Sequence, residues 1–196
     1  MRSSRTVRGK SKKTKPSEKK KLSPEEALRL LAESGCSKRV IEHCKAVSKQ
    51  AVGIARKIGK KGYKVDLEFI QAASLLHDIG RSRTHGIRHG IEGARIMKNH
   101  PKYARVCERH IGAGIGKKES KKLGLPAKSY IPRTLEEKII AHTDNTIEGR
   151  KVVPIERTIK AYEEKLGKTH PATKMVIRLS DYIEKLMETD SPQSNL

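Results

Sequence analysis

The 196 residues fit one domain plus a tail, and charged residues (34%) so outnumber aromatics (3%) that any core must be aliphatic. Three cysteines, Cys36, Cys44 and Cys107, are odd in number and form no C-x-x-C pair, which argues against a disulfide framework or a zinc ribbon and suits a reducing cytosol. No apolar run approaches the roughly 18 residues of a membrane span, and no hydrophobic segment follows the N-terminal bases, so the sequence predicts a soluble, cytoplasmic protein with no secretory signal and no membrane partner.

The net charge of +22 is unevenly placed. Residues 1–22 hold ten Lys/Arg against the single acid Glu18, a net +9 with almost no apolar content, which predicts a disordered basic arm. The other residues still carry +13. Such a surface attracts polyanions in a salt-dependent way, and the arm is a candidate for nonspecific nucleic-acid binding. The bland alternative is a like-charged, solubilising coat. With no Trp, one Phe and five scattered Tyr, no base-stacking platform is evident.

A folded domain is expected over 23–190, with 191–196 as a tail. Ser23-Pro24-Glu25-Glu26 supplies an N-cap, a proline at the first helical position and acids in the first turn of a short helix ending near Gly35. Ser37 can cap a second helix, in which Val40, Cys44, Val47, Ala51, Ile54 and Ile58 form one buried stripe at spacings of 4, 3, 4, 3 and 4. Asp66 caps a third, apolar nearly all round from Leu67 to Leu76 and therefore central. It runs into His77-Asp78-Ile79-Gly80, where Gly80 is a natural stop. Further helices are predicted at 88–99, 102–111, 134–148, 154–166 and 171–188, with Pro101, Pro154 and Pro171 near three of the starts. Residues 112–133 read as a Gly- and Lys-rich loop with one helical turn near Ser120. No period-2 strand pattern and no internal repeat is present, so the fold class is all-α, a bundle of about seven to eight helices.

The polar residues that interrupt the apolar stripes carry the chemistry. His43 borders the buried face of the second helix, and His77 and Asp78 end the most buried one. His110 shares a face with Tyr103, Val106 and Cys107, and Asp144 sits between Ile140 and Ile147. A carboxylate on an apolar face is costly unless a cation meets it, and Asp78 and Asp144 are both so placed. Imidazoles and carboxylates without thiolates suit a catalytic metal site rather than a structural zinc. A lone histidine on such a face is ordinarily a satisfied core residue; here the joint pattern argues otherwise.

That order, isolated His43, then His77-Asp78, then Asp144, resembles the H…HD…D signature of the HD phosphohydrolase superfamily. SLLHDIGRS is similar to its central motif and EKIIAHTDNTI to its final aspartate helix. His89-Gly90-Ile91-Glu92-Gly93-Ala94 and the His110 of ERHIGAGI resemble the added motifs of two-metal branches, among them the symmetrical diadenosine tetraphosphate hydrolases and, without their G-Y-P signature, the cyclic-di-GMP phosphodiesterases. The resemblance implies two divalent metals per chain (Fe, Mn, Co, Ni or Mg). Asp78 would bridge them, with His43, His77 and Asp144 completing one site and His89 and His110 the other. Gly93, one turn beyond His89, is expected to leave room for metal and substrate.

Relatives often carry Lys just after HDIG; Arg81 stands there and can hold two phosphate oxygens. His85, Arg88, Lys117 and Arg150 are further substrate-binding candidates, with Arg83 and Lys118 behind them, each also readable as a solvated surface charge. His142 is expected to point elsewhere, His100 and His170 to mark helix boundaries, and Asp181 to be structural. The reaction implied is hydrolysis of a phosphate ester or anhydride of a nucleotide or dinucleoside polyphosphate, with Asp78 and Arg81 as catalytic residues. Two rivals stand beside it: a phosphodiesterase or phosphatase acting on RNA ends or cyclic phosphates, and a non-catalytic nucleotide- or nucleic-acid-binding module. Oligomeric state is not legible.

Overall fold

The structure is a computed structural model that describes residues 21–192. Among them are nine α-helices: α1 (Pro24–Glu33), α2 (Lys38–Lys60), α3 (Leu67–Leu76), α4 (His89–Ile96), α5 (Pro101–Arg109), α6 (Lys117–Lys122), α7 (Leu135–Asp144), α8 (Ile155–Leu166) and α9 (Pro171–Glu188). A 3-10 turn over Ile79–Ser82 follows α3, and a two-residue hairpin, β1 (Ile147–Glu148) and β2 (Lys151–Val152), follows α7. The fold is an all-α bundle, as the sequence predicts.

The caps form as the sequence predicts. The Ser23 hydroxyl accepts from Glu26 N–H and the Glu26 carboxylate accepts from Ser23 N–H, a complete capping box. Ser37 and Asp66 accept the N–H groups of Val40 and Phe69. Helix α3 is central: it packs on α1, α2, α5 and α7. One aliphatic cluster joins α1, the first half of α2, α3 and α5, while a second joins the other half of α2 to α7 and α9 through Ile58, Ile70, Ile139 and Ile183. Those four side chains are fully buried, each worth roughly 1.5–3 kcal/mol. Because α3 is gripped on several sides, the residues at its C-terminal end are fixed relative to every other helix.

One expectation about the elements is corrected. The helix predicted over 134–148 ends at Asp144. Asn145 turns its amide to the Gly112 carbonyl, the Thr146 hydroxyl donates to Thr143 O, and Gly149, at a φ of +61°, makes the tight turn of an antiparallel pair with Ile147 opposite Val152. Four residues of β-branched character on either side of one glycine are too short for a period-2 signal but sufficient for this hairpin. Within 112–133, the helical turn expected near Ser120 is present as α6, which brings the described helices to nine.

Most of the basic arm, residues 1–20, and the tail from 193 on lie outside the described residues. Lys21 and Leu22 are already attached to the domain. The Lys21 ammonium meets Asp66 and Glu68 at 2.9 and 3.3 Å, and Leu22 N–H donates to the Tyr103 hydroxyl. At the other end, Ser191 N–H donates to Lys61 O.

Candidate metal centre

Six side chains from five helices converge on one point. His43 comes from the second turn of α2; His77 and Asp78 from the end of α3; His89 from the first residue of α4; His110 from the end of α5; and Asp144 from the last residue of α7. His43 Nε2 lies 3.0 Å from Asp144 Oδ1, and His77 Nε2 lies 3.3 Å from the same oxygen. His89 and His110 approach Asp78 Oδ1 at 3.2 and 3.3 Å, with their own Nε2 atoms 3.0 Å apart. Asp78 Oδ2 stands 3.8 Å from His77 Nε2 and 3.9 Å from His43 Nε2. Asp78 thus stands between two groups of ligands, and all six residues assembled from the sequence come together.

The orientation of the rings is more telling than their proximity. Each of the four imidazoles gives its Nδ1 to a backbone carbonyl: His43 to Gly149 O at 3.1 Å, His77 to Ser74 O at 2.7 Å, His89 to Gly86 O at 2.8 Å and His110 to Cys107 O at 2.9 Å. A carbonyl can only accept, so Nδ1 carries a proton and each Nε2 is turned inward, where it offers a lone pair whenever the ring is neutral. Three of the carbonyls stand three residues before their histidine. For His77 and His110 they are carbonyls of a last helical turn, which lack an i+4 partner. The hairpin supplies the fourth, and that is its structural purpose: the Gly149 turn fixes His43.

Ring nitrogens therefore face carboxylate oxygens. His77 Nε2 and Asp78 Oδ1 are buried without a hydrogen-bond partner among the described residues. In a protein interior that arrangement is costly unless a cation satisfies both. Burial disfavours a charged His77, yet the carboxylates of Asp78 and Asp144 outweigh it and raise its pKa well above the imidazole range. Burial also disfavours the Asp78 and Asp144 carboxylates. The surrounding imidazoles, His77 foremost, nonetheless hold both well below the usual carboxylate range. His110 is pushed down by burial and remains a neutral donor. The donor set fits a divalent metal: nitrogen and oxygen ligands, no thiolate, and two groups, His43–His77–Asp144 and His77–Asp78–His110, whose donor atoms lie within 4.8 Å of one another.

Around this core, Arg81 is where the sequence put it. Its Nε donates to Asp78 Oδ2, and Nη1 reaches the His85 carbonyl at 3.4 Å. The His85 ring itself is exposed and contributes only its backbone. Arg88 Nη1 contacts Gly124 O at 3.5 Å, linking the 83–88 loop to the end of α6, and Lys117 and Arg150 are exposed. His142 is buried on the far side of α7, His100 and His170 precede α5 and α9, and Asp181 is exposed on α9.

Gly93 corrects an expectation. A Cβ there would lie 3.0 Å from Cys107 Cβ and 3.3 Å from Gly80 N, so its bare backbone makes room for α5 and the turn after Asp78, not for metal or substrate. Gly80 is tighter still: its Cβ would lie 1.9 Å from His89 O and 2.4 Å from Gly93 N. These glycines bring α4 against the Asp78 turn and so bring His89 to Asp78. Sequence reading also missed Glu137. This buried carboxylate takes two bonds from Arg109 Nη1 (3.1 and 2.8 Å) and one from Arg133 N–H (2.7 Å), clamping α5, which carries His110, to α7, which carries Asp144. The only advance signal was an acid in the first turn of a helix, which ordinarily reads as a dipole partner.

Against known proteins, the family model described as HD domain matches residues 40–149. The chain is 53% identical over 167 residues to an uncharacterized protein of Methanocaldococcus jannaschii, covering 84% of this chain and 98% of that one. It is also similar to two proteins named tRNA (cytidine(56)-2'-O)-methyltransferase. The one from Thermoplasma volcanium is 40% identical over 75% of this chain, and the one from Picrophilus torridus 35% identical over 85%. The chain spans 44% and 48% of those two proteins, less than half of each. No solved structure matches.

Proposed function

The chain belongs to the HD domain family, whose members are metal-dependent hydrolases, and from that premise we propose that it hydrolyses a phosphate ester or anhydride of a nucleotide or dinucleoside polyphosphate. The observation that carries this reading is the set of four Nδ1–carbonyl bonds, which turn four Nε2 atoms onto Asp78 and Asp144. His43, His77 and Asp144 would hold one divalent metal, His89 and His110 a second, and Asp78 both. Bound there, the metals would lower the pKa of a water and polarise a phosphoryl oxygen. The chain's own residues do the rest. The carbonyl anchors keep the imidazoles oriented, with each Nε2 already turned toward the carboxylates. Arg81, held by Asp78, offers its remaining N–H groups to the negative charge of a phosphoryl group. No side-chain nucleophile is needed: Cys44 and Cys107 are buried, and burial pushes the Cys107 thiol up to about 12.

A second reading, favoured by a specific observation, places the phosphate on RNA. Two relatives are named for methylation of tRNA, and this chain carries a net charge of +22. The test is metal analysis of the purified chain, followed by assay of chelated protein reloaded with Mn, Fe, Co, Ni or Mg on a nitrophenyl phosphodiester, dinucleoside polyphosphates and RNA-terminal phosphates. Metal-restored turnover that Asp78→Ala abolishes without loss of helical signal supports the proposal. A well-folded wild type that binds no metal and turns over nothing overturns it in favour of a binding module.

A further inference from the structure

We propose that the face built from the 83–88 loop and α6 docks double-helical RNA beside the metal centre. This rests on the RNA reading above and gives it a surface and a substrate form.

The face is continuous and uncompensated. Arg83, Arg88, Lys117, Lys118 and Lys121 are exposed, and none makes an ion pair among the described residues. The acids nearby are already neutralised: Glu119 by Lys122 at 3.6 Å, Glu108 by Lys128, and Glu92 by Arg95. Two observations hold the loop and α6 together as one surface. Arg88 reaches Gly124 O just past the end of α6, and beneath them Ile91 of α4 packs with Ile115, Leu125 and Tyr130, which flank α6. The face also adjoins the ligands. Arg88 directly precedes His89, and Arg83 follows Arg81 by two residues, so a phosphate seated on this surface is next to Asp78 and Arg81.

The form of the RNA follows from what the surface lacks. Single strands are held chiefly by stacking of bases on aromatic side chains. Phe69, Tyr103 and Tyr130 are buried, and Tyr63 and Tyr162 pack against the core. Tyr182 is exposed, but it lies on α9 under the Lys138 ammonium at 4.3 Å. Among the described residues the exposed His85 imidazole is the one ring on this face, and it lies in the loop, away from the α6 lysines. Many cations with a single ring among them suit a helix, whose bases are already stacked and whose phosphates and 2'-hydroxyls form the outer surface.

The experiment measures binding by fluorescence anisotropy on the chelated full chain, so that turnover plays no part. The probes are an RNA hairpin, an unstructured RNA of equal length and the matching DNA duplex, each across a salt series. We expect the RNA hairpin to bind best. The triple charge reversal Lys117→Glu, Lys118→Glu, Lys121→Glu should weaken it tenfold or more and flatten the log K against log salt slope by about 2 to 3, since each phosphate contact contributes about 0.9 in duplex DNA. Lys165→Glu with Lys168→Glu, on exposed sites at the end of α8, should change the slope far less. Equal or tighter binding of the unstructured RNA or of the DNA duplex overturns the proposal, as does an unchanged slope in the triple variant. Metal per chain in the reloaded triple variant, by elemental analysis, reads the metal centre separately. Its retention with loss of RNA binding supports the docking face, whereas loss of both in a folded variant counts against a face distinct from the centre.

Discussion

Gly80→Ala tests whether close backbone packing, and not the ligand residues alone, makes the second half of the metal centre. The new Cβ would stand 1.9 Å from His89 O. Merely to reach 3.0 Å, the start of α4 or the turn carrying Asp78 must retreat by about 1.1 Å, the difference between those distances. Metal ligation tolerates only about ±0.2 Å, so either movement should take His89 or Asp78 out of range. Overpacking against backbone should also cost on the order of 1–3 kcal/mol of stability. Gly93→Ala is the graded companion: its 3.0 Å contact is with Cys107 Cβ, and a few tenths of an ångström relieve it, so its metal loss should be partial. Gly53→Ala is the control. It lies mid-helix in α2 with nothing within 4 Å and should gain roughly 0.5–1 kcal/mol. Metal per chain by elemental analysis, beside thermal unfolding followed by circular dichroism, reads all three. A Gly80→Ala protein that keeps wild-type metal content and melts with Gly53→Ala would refute the packing argument. If it fails to fold, Gly93→Ala alone decides through its metal content.

The remaining predictions concern loading and charge. His89→Ala or His110→Ala should lower metal content from about two per chain toward one and cut hydrolysis by orders of magnitude; His100→Ala should do neither, and full activity in the first two variants would remove the second metal. His170→Ala should leave metal and rate unchanged but lose the side-chain cap it gives to Ala172 N–H, at roughly 0.5–2 kcal/mol of stability. Metal binding should release protons: burial disfavours charge on His77, but Asp78 and Asp144 raise its pKa, so it is protonated in metal-free protein at neutral pH and must give up that proton to coordinate. Apparent affinity should therefore rise with pH up to the raised pKa, and titration heats should vary with the buffer's ionisation enthalpy; buffer-independent heats would contradict this. Deleting residues 1–20, which spares the Lys21 and Leu22 contacts, should leave turnover of a small phosphodiester unchanged and reduce the salt slope of RNA binding; an unchanged slope would deny the arm a role.

What the sequence made legible was whatever depends on helical period and on caps. The stripe of α2, the all-round burial of α3 and the caps at Ser23, Ser37 and Asp66 all follow from near-neighbour chemistry, and so does the placing of each ligand at a helix end or border. Contacts between distant segments were not legible. That Gly149 would hand its carbonyl to His43 depends on a turn 106 residues away in the chain. That Gly93 would meet Cys107 required knowing how α4 crosses α5, and so its missing side chain was assigned to the ligand space. Glu137 was hidden for the same reason, since its partner Arg109 is 28 residues away and nothing in either local pattern marks a buried pair. A buried ion pair of this kind is poor evidence for stability, but removing one partner is costly, which suits a clamp between two ligand-bearing helices.

The electrostatic layout supplies one more link between fold and proposed reaction. Helices α3, α5 and α7 all end at the centre, so three helix C-termini, each carrying partial negative charge, aim at the two carboxylates of Asp78 and Asp144. Only α4 begins there. The interior of the site is thus negative, inside a chain whose net charge is +22. Inward, that field favours a divalent cation; outward, Arg83, Arg88 and the α6 lysines favour a phosphate. A metal-assisted phosphoryl transfer needs both signs within a few ångströms, separated so that neither cancels the other. Arg81 stands at the boundary, its Nε on Asp78 and its Nη1 on His85 O in the basic loop. A uniformly basic pocket would bind the phosphate and repel the metal. A uniformly acidic one would do the reverse. Placing the acids at helix C-termini within the core and the bases on a loop and a short surface helix resolves that conflict by topology, without requiring any side chain to serve both charges.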